Sequence, residues 1–332
     1  MALPKVAFIG TGGTISSLGA DSLDLIHYVD QKTMLPADEI LARVPELAAV
    51  ADVLAVPFAA VPSPDMGFEQ WRALSALCDR LLTEHPDLAG IVIGHGTATL
   101  EETAYALSLG IDVDVPVVVV GSQRPLSGLS SDAGMNLVTA VRTAAAPESR
   151  GRGVLVVLND EIHAARDVTK TATTRLQTFR TRDFGMLGHV DGPYLHYYRR
   201  PERLAGPAAP FHLSEMGSLP RVDIAYAHAG CDGTAVDAFV AAGARGIVSA
   251  GLAPGNTTQA EREALERAVA AGVVVVQSTR AGSGVVHPGE AHRSAGILGA
   301  DNLTPQKARI LLAFALTQTA EPAAIADLFA TC

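Results

Sequence analysis

The stretch Val6-Ala-Phe-Ile-Gly-Thr-Gly-Gly-Thr-Ile15 joins a short apolar run directly to a glycine-rich loop. Continuous apolar runs of this length, bounded by Gly, Pro or Asn, are typical of strands that are buried on both faces of a parallel sheet. Further runs of this kind lie at residues 53–57, 90–93, 115–120 and 154–158. The first part of the chain is therefore predicted to contain a parallel sheet.

The sequence between these runs has a helical period. In residues 68–82, the side chains of Trp71, Leu74, Leu77 and Leu81 recur every three or four positions, which is the pattern of an amphipathic helix. Alternating strands and helices predict the α/β class, with a doubly wound parallel sheet. In such a sheet the ligand crevice lies beyond the carboxyl ends of the strands, so the loops at those ends are the candidates for chemistry.

The composition changes near residues 199–220, which are rich in Pro, Gly and Ala and have neither a helical nor a strand period. We therefore predict a larger N-terminal α/β domain at 1–200, a linker at 201–220 and a smaller C-terminal α/β domain at 221–332. The elements predicted in this last domain are strands at 222–227, 246–250 and 273–277, a helix at 259–271, and a helix from Pro305 to about Leu316 with Thr304 as its N-cap.

Composition and charge exclude several classes of protein. With 332 residues, 48% hydrophobic and 18% charged, the chain is predicted to be globular and not disordered. A net charge of −10 disfavours binding to nucleic acid or to anionic lipid, because the molecule as a whole repels them. No apolar run approaches the roughly 20 residues of a membrane-spanning helix. We expect neither nucleic-acid nor membrane partners.

The start of the chain and its cysteines bear on cellular location. Residues 1–9 pass straight into a predicted strand without the features of a secretory leader, which favours a cytoplasmic protein, although a mature secreted form would look similar. Cys78, Cys231 and Cys332 are an odd number without C-x-x-C spacing, so neither a disulfide framework nor a zinc site is predicted.

Gly10-Thr-Gly-Gly-Thr-Ile15 is the first candidate loop. Its glycines can adopt positive φ and bring backbone N–H groups close to a ligand, while Thr14 offers a hydroxyl. A dinucleotide fingerprint would need glycine in place of Ile15, and a Walker loop would need Gly-Lys-Ser/Thr, so both phosphate-binding interpretations are weakened. A tight turn with a capping threonine remains the alternative.

The second candidate loop is Gly94-His-Gly-Thr-Ala-Thr-Leu-Glu-Glu-Thr-Ala104, at the end of the third predicted strand. It brings Thr97 and Thr99 to the same sheet edge as Thr14. Thr99 is interpreted as a helix N-cap and His95 as a hydrogen-bonded loop residue. The acids that follow suit the first turn of a helix.

A third loop, Asn159 to Thr171, places Lys170 just past a strand end. A lysine in this position is a base if desolvation lowers its pKa, and otherwise a surface charge.

Together these loops resemble a known family. Thr-Gly-Gly-Thr-Ile at 11–15, His-Gly-Thr-x-Thr-x-x-Glu-Thr-Ala at 95–104 and Arg-Asp-Val-Thr-Lys at 166–170 are similar, in this order, to motifs of the bacterial-type L-asparaginase/glutaminase family. Matches at Ser63-x-Asp65-Met66, Gly255-Asn256 and 302–309 extend the resemblance over nearly the whole chain. It implies hydrolysis of a side-chain amide, without a cofactor or metal, through a threonine nucleophile and a covalent acyl-enzyme, in a homo-oligomer that is a dimer or tetramer.

The resemblance also implies individual roles. Thr14 matches the nucleophile, Tyr28 the tyrosine of the mobile loop that follows, and Thr97 with Lys170 the second threonine and its lysine. The residue types suit this chemistry, because a threonine hydroxyl becomes a nucleophile once a neighbour such as Tyr28, or the Thr97–Lys170 pair, accepts its proton. Backbone N–H groups of the glycine-rich loops are candidates to stabilise the oxyanion.

Residues that bind the substrate are implied in the same way, and two of them depart from the family pattern. Ser63 matches a serine that holds the substrate's α-carboxylate, while Asn256 and Glu290 match residues contributed by a neighbouring subunit. Ala98 stands where the family has an aspartate that binds the α-amino group, and Pro64 stands where it has a glutamine. Charge-assisted bonds to an ammonium group contribute roughly 1.5–3 kcal/mol, so these losses bear on substrate choice.

Several functions therefore stay open at this point. The principal expectation is release of ammonia from L-asparagine, with glutamine as a further substrate. One alternative is a linear or cyclic amide without a free α-amino group; another is that Asp65 or Glu290 replaces the missing carboxylate. A non-catalytic amino acid sensor and a nucleotide-binding oxidoreductase are the remaining hypotheses.

Overall fold

The computed structural model describes residues 2–332, which form two compact units. The first unit extends to Ser214, and the second comprises Glu215–Cys332. The division falls inside the segment 201–220 that was predicted as a linker. Each unit is built around its own sheet with helices, so the predicted α/β class is confirmed.

The first unit is organised around a large mixed sheet. The strands of the first unit are β1 (Lys5–Gly10), β2 (Asp52–Pro57), β3 (Leu88–Gly94), β4 (Val117–Val120), β5 (Val154–Leu158), β6 (Glu161–Ala164), β7 (Val168–Lys170), β8 (Phe179–Thr181), β9 (Gly188–Asp191) and β10 (Tyr194–Tyr197). The sheet order is β10-β9-β6-β5-β4-β3-β1-β2, and β7 pairs separately with β8. Strands β1 to β5 are parallel in the doubly wound order 2-1-3-4-5, whereas β6, β9 and β10 add an antiparallel extension that was not predicted.

Helices cover this sheet and account for the apolar runs. They are α1 (Ala37–Ala42), α2 (Phe68–Glu84), α3 (Leu100–Gly110) and α4 (Ala133–Ala145). All four valines of β4 are buried, as expected for a central parallel strand that is covered on both faces. Strand β3 and helix α4 approach so closely that a Cβ atom on Gly90 would overlap the carbonyl group of Ala144.

The register of the first three strands determines where the candidate loops lie. Gly10, the last residue of β1, is level with Pro57 at the end of β2 and with Gly94 at the end of β3. Thr11 then donates both its N–H and its hydroxyl to the Gly94 carbonyl oxygen, each at 2.9 Å. The loops after β1, β2 and β3 therefore leave the sheet at one edge.

The second unit has a smaller parallel sheet. Its strands are β11 (Val222–Tyr226), β12 (Gly246–Gly251), β13 (Val274–Thr279) and β14 (Leu298–Gly299), in this order. Its helices are α5 (Thr234–Ala241), α6 (Gln259–Ala270), α7 (Glu290–Ser294), α8 (Pro305–Gln318) and α9 (Pro322–Thr331). Thr304 occupies the N-cap position of α8 as predicted, but its hydroxyl forms no capping hydrogen bond.

Of the helices in the described part of the chain, none is both long and apolar enough to cross a bilayer. Cys78, Cys231 and Cys332 are buried free thiols.

We expect Gly90→Ala to lower the free energy of unfolding by about 2 kcal/mol, the usual scale of overpacking, because its Cβ would force β3 and α4 apart. Gly134→Ala is the matched control, since a Cβ there meets nothing within 4 Å, and it should stabilise helix α4 by up to about 1 kcal/mol. Urea unfolding of both variants beside wild type measures the difference. Equal urea midpoints for the two variants would contradict the predicted cost of overpacking at Gly90.

Candidate active site

Thr14 is held at the end of β1 by an unusual backbone turn. Gly12 and Gly13 have φ values of 103° and 85°, in the region that favours glycine, and Thr14 then begins a short 3₁₀ helix, Thr14–Ser16. The Ser16 hydroxyl donates to the Gly13 carbonyl oxygen at 2.8 Å. The Thr14 hydroxyl is hydrogen-bonded to the hydroxyl of Tyr28 at 2.8 Å. Thr14 is therefore buried and fixed, with one oxygen neighbour already in place to exchange a proton.

The loops after β1, β2 and β3 are in direct contact. A Cβ atom on Gly13 would overlap the backbone of Gly96, and one on Gly96 would lie 2.6 Å from the Ser63 hydroxyl oxygen. Three chain segments that are far apart in sequence therefore meet at a point where only glycine fits. The residues that follow these glycines, Thr14 and Thr97, belong to the same small region.

Thr97 is hydrogen-bonded to Lys170. The Lys170 ammonium lies at the end of β7 and donates to the Thr97 hydroxyl oxygen at 2.8 Å. Burial lowers the pKa of Lys170 below its usual value, and the negative charge of Glu101 partly opposes this shift. Glu101, in the first turn of α3, accepts hydrogen bonds from the Lys170 backbone N–H at 3.1 Å and from the Thr169 hydroxyl at 3.0 Å.

Glu101 supports Lys170 through contacts that the sequence did not reveal. It was predicted only as an acid that suits the start of a helix, but its carboxylate fixes the backbone that carries Lys170. Glu101 is 68 positions from Thr169 and 69 positions from Lys170 in the sequence, so no local sequence pattern predicts these hydrogen bonds.

The segment that carries Tyr28 is attached to a distant loop. Tyr28 is half-buried in the 3₁₀ helix His27–Gln31. Upstream, the Gly19 N–H donates to the Ser127 hydroxyl at 2.8 Å, and the Leu129 N–H donates to the Ser22 carbonyl oxygen at 2.7 Å. Ser127 and Leu129 therefore anchor the segment, and sequence spacing gives no sign of this pairing.

The residues of the first unit that are predicted to bind substrate lie on the loops after β2 and β3. Ser63 is buried, whereas Pro64, Asp65 and Ala98 are exposed. Thr99 occupies the predicted N-cap position of α3, but its hydroxyl donates to the Ser63 carbonyl oxygen at 2.5 Å instead of capping the helix. Thr99 thereby joins the loop after β3 to the loop after β2.

His95 is buried beside this site and carries no charge at neutral pH. Burial lowers its pKa to about 4, and its Nδ1 is 2.8 Å from the Gly96 carbonyl oxygen. Its Nε2 is buried without a hydrogen-bond partner in residues 2–332. The predicted hydrogen bonding of His95 is therefore found at only one of its two ring nitrogens.

Asn256 and Glu290 lie in the second unit. Asn256 is exposed in a tight turn, where its carbonyl oxygen accepts a 2.6 Å hydrogen bond from the Leu252 N–H. Glu290 begins α7, is exposed, and forms a 2.7 Å ion pair with Arg293 that lowers the pKa of its carboxyl group. Neither residue is close in sequence to the hydroxyl groups of the first unit.

The donor groups of the site suit acyl transfer. They comprise two threonine hydroxyls, each hydrogen-bonded to a group that can exchange a proton, and two glycine-rich turns with backbone N–H groups. Among the described residues, no three His, Cys, Asp or Glu side chains are grouped so as to hold a metal ion.

Comparison with known proteins gives consistent matches along the chain. Residues 5–203 match the family described as Asparaginase, N-terminal, and residues 221–329 match the Glutaminase/Asparaginase C-terminal domain. The chain is 39% identical to the probable periplasmic L-asparaginase of Haemophilus influenzae, over 98% of this chain and 93% of that protein. It is also 39% identical to L-asparaginase 2 of Escherichia coli, over 99% of this chain and 93% of that protein.

A solved structure is similar to this chain over almost its whole length. The crystal structure of a probable cytoplasmic L-asparaginase from Campylobacter jejuni superposes with a TM-score of 0.94 at 34% identity, covering 99% of this chain and all of that chain.

We expect Glu101→Gln to lower the pKa of Lys170 further, because it removes the negative charge that favours the ammonium form. The amide oxygen of glutamine can still accept from Thr169 and the Lys170 backbone. The chain has only four lysines, so an NMR titration of labelled lysine side chains can resolve them.

Glu102→Gln is the matched control, with the same loss of charge one position further along α3. It should change the pKa of Lys170 less than Glu101→Gln does. An unchanged or raised Lys170 pKa in Glu101→Gln would show that Glu101 does not act on this lysine.

Proposed function

The chain belongs to the asparaginase/glutaminase family, and on that premise we propose that it is an amidohydrolase that releases ammonia from the side-chain amide of L-asparagine. One juxtaposition supports this function above all. Thr14 is bonded to Tyr28 and Thr97 to Lys170, on loops whose backbones touch at Gly13 and Gly96. A protein that only bound an amino acid would have no need for two hydroxyls that are each paired with a proton-exchanging group.

In the proposed first step, the Thr14 oxygen attacks the amide carbon of the substrate. The Thr14 proton passes to Tyr28 or to the Thr97–Lys170 pair, and from there to the amide nitrogen. The carbon–nitrogen bond breaks, ammonia leaves, and the acyl group remains on Thr14 as an ester. Backbone N–H groups of the glycine-rich turns stabilise the negative oxygen, an effect worth about 3–4 kcal/mol per donor.

In the second step, water hydrolyses this ester. Lys170 in its neutral form accepts the water proton through the Thr97 hydroxyl, with which it already forms a hydrogen bond. The lowered pKa of Lys170 increases the fraction of the neutral base at a given pH. The carboxylate product then leaves and Thr14 regains its proton.

Substrate choice depends on the residues around Ser63. We assign Ser63 to the substrate's α-carboxylate, in keeping with its burial against Gly96. Ala98 and Pro64 are exposed and carry no charge, so neither offers a carboxylate to an α-amino group. An amide without a free α-amino group is therefore the second candidate substrate. Glutamine is a further substrate under the first candidate, L-asparagine.

Assembly and location complete the proposal. We propose a dimer or tetramer in which Asn256 and Glu290 reach the site of a neighbouring copy. One of the similar proteins is named as periplasmic and another as cytoplasmic, so the cytoplasmic location of this chain stays a prediction.

We expect Thr14→Ala to lower the rate of ammonia release from L-asparagine by at least about 10³-fold, because it removes the nucleophile. Thr83→Ala is the control, since Thr83 is an exposed threonine on α2, and its rate should equal that of wild type. If Tyr28 accepts the Thr14 proton, Lys170→Met blocks only the second step, and mass spectrometry of the acid-quenched variant should find the acyl adduct on the Thr14 peptide. An adduct on Thr97 would reverse the assignment, and wild type that binds asparagine without acylation would identify a sensor.

We expect Ala98→Asp to improve the processing of asparagine, because it places a carboxylate beside Thr97 where the family resemblance puts the amino-group ligand. A charge-assisted bond of this kind corresponds to about 10- to 100-fold in kcat/KM. The panel is asparagine, glutamine and the des-amino analogue succinamate, on which the variant should gain nothing. An unchanged ratio of asparagine to succinamate activity would remove the support for an altered amino-group pocket.

A further inference from the structure

The first unit contains a concave region away from the threonine hydroxyls. This cavity, which we call the basic cavity, has a volume of about 400 Å³ and is lined by α3, the start of β5, the turn after β6, the segment 184–187 and the segment 199–205. Val154, the first residue of β5, lies in its wall. Since β5 is parallel to β4 and β3, the basic cavity lies at the amino ends of these strands, whereas Thr14 and Thr97 follow carboxyl ends.

The floor and rim of the basic cavity are largely apolar. Val154, Ala164, Ala165 and Leu187 are buried residues of the lining. At the rim, Phe184 is 48% exposed and Leu204 is 41% exposed. Such a lining favours an occupant with an apolar body and disfavours a small, strongly hydrated ion.

The charges of the lining are strongly biased towards one sign. The chain carries a net charge of −10, yet the lining has five arginines and only two acids, Asp167 and Glu202. The five arginines are Arg152, Arg166, Arg199, Arg200 and Arg203. Asp167 is already paired with Arg166 at 3.2 Å. The basic cavity therefore has an excess of positive charge within an acidic protein.

Three of these arginines have no acidic partner. Within residues 2–332, neither Arg152 nor Arg199 nor Arg200 forms an ion pair. Arg152 is held in place, because it donates to the Arg199 carbonyl oxygen at 2.7 Å and lies over the Tyr197 ring at 3.9 Å. Arg200 makes only long contacts, of which the shorter is 3.3 Å to the Gly151 carbonyl oxygen.

The like charges of Arg152 and Arg200 also act on each other. Burial lowers the pKa of the Arg152 guanidinium, Tyr197 opposes this shift, and the positive charge of Arg200 adds a smaller lowering. An anion placed between these side chains would relieve this repulsion and accept their N–H groups in the planar geometry that suits a carboxylate.

We propose that the basic cavity binds a small amphipathic carboxylate, whose charged group is held by Arg199 and Arg200 beside Arg152 and whose apolar body lies along Val154, Ala165 and Leu187. The proposal does not rest on the amidohydrolase activity, because the cavity uses none of the residues assigned to that reaction.

Octanoate is a suitable probe, and isothermal titration calorimetry of the purified full-length protein is the measurement. We expect saturable binding of one octanoate per chain. The double substitution Arg199→Ala and Arg200→Ala should weaken it by at least about 10-fold, as expected for the loss of charged hydrogen bonds. The matched control is Arg43→Ala with Arg80→Ala, which removes two exposed arginines elsewhere in the first unit and should bind as wild type does.

Three comparison ligands separate the two parts of the site. Acetate and inorganic phosphate carry negative charge without an apolar body, and octylammonium carries the same tail with a positive charge. Each should bind at least about 10-fold more weakly than octanoate, because each loses one of the two contributions. Comparable binding of phosphate or octylammonium would overturn the proposed amphipathic carboxylate.

Two further results would also overturn the proposal. One is an equal loss of octanoate binding in the control double variant, which would indicate a general effect of surface charge. The other is the absence of saturable binding to wild type, which includes the case in which a second copy of the chain covers the cavity. Thermal unfolding of the Arg199→Ala, Arg200→Ala protein is the control for folding. An unfolding temperature equal to that of wild type would show that a loss of binding is not a loss of fold.

Discussion

The close approach of the backbones at Gly13 and Gly96 is the constraint on which the candidate site depends. A side chain on either glycine would collide with the other loop or with Ser63, and Gly13 has a φ of 85° that other residues adopt only with strain. The two hydrogen bonds from Thr11 to Gly94 hold the same loops together one step closer to the sheet. The positions of Thr14 and Thr97 thus follow from two features: β1 and β3 end at the same level of the sheet, and glycine occupies positions 13 and 96.

Two anchors outside the loops then fix the side chains that are hydrogen-bonded to these threonines. Glu101 binds the backbone at Lys170, and Ser127 with Leu129 binds the segment that carries Tyr28. Neither anchor touches a reacting atom in the proposed mechanism, so both act by positioning. A reaction geometry that must be held to within a fraction of an ångström requires this kind of support, because a tyrosine or lysine side chain alone has several rotatable bonds.

The parts of the molecule that could be predicted from sequence are those with a local signal. Strands β1 to β5 were identified from their apolar runs, although β4 begins at Val117 and not at 115, since Pro116 has no N–H to give to a sheet. The added strands β6, β9 and β10 have four residues each, with polar side chains among them, and only their partners make them strands. The anchoring contacts of Glu101 and Ser127 could not be predicted for the same reason, because they span 69 and 108 positions in the sequence.

The net charge of the chain gives no local information about its sites. A total of −10 describes the field far from the molecule, but at physiological salt that field is screened beyond roughly 8–10 Å. Within that distance the sign is set by neighbours, as the basic cavity illustrates with five arginines in its lining. Lys170 illustrates the same point for protonation, because its own burial lowers its pKa and the nearby charge of Glu101 opposes that shift. The charges that act on a site in this chain are those within one screening length of it. The overall excess of acids predicts neither the lowered pKa of Lys170 nor the arginine-rich lining of the basic cavity.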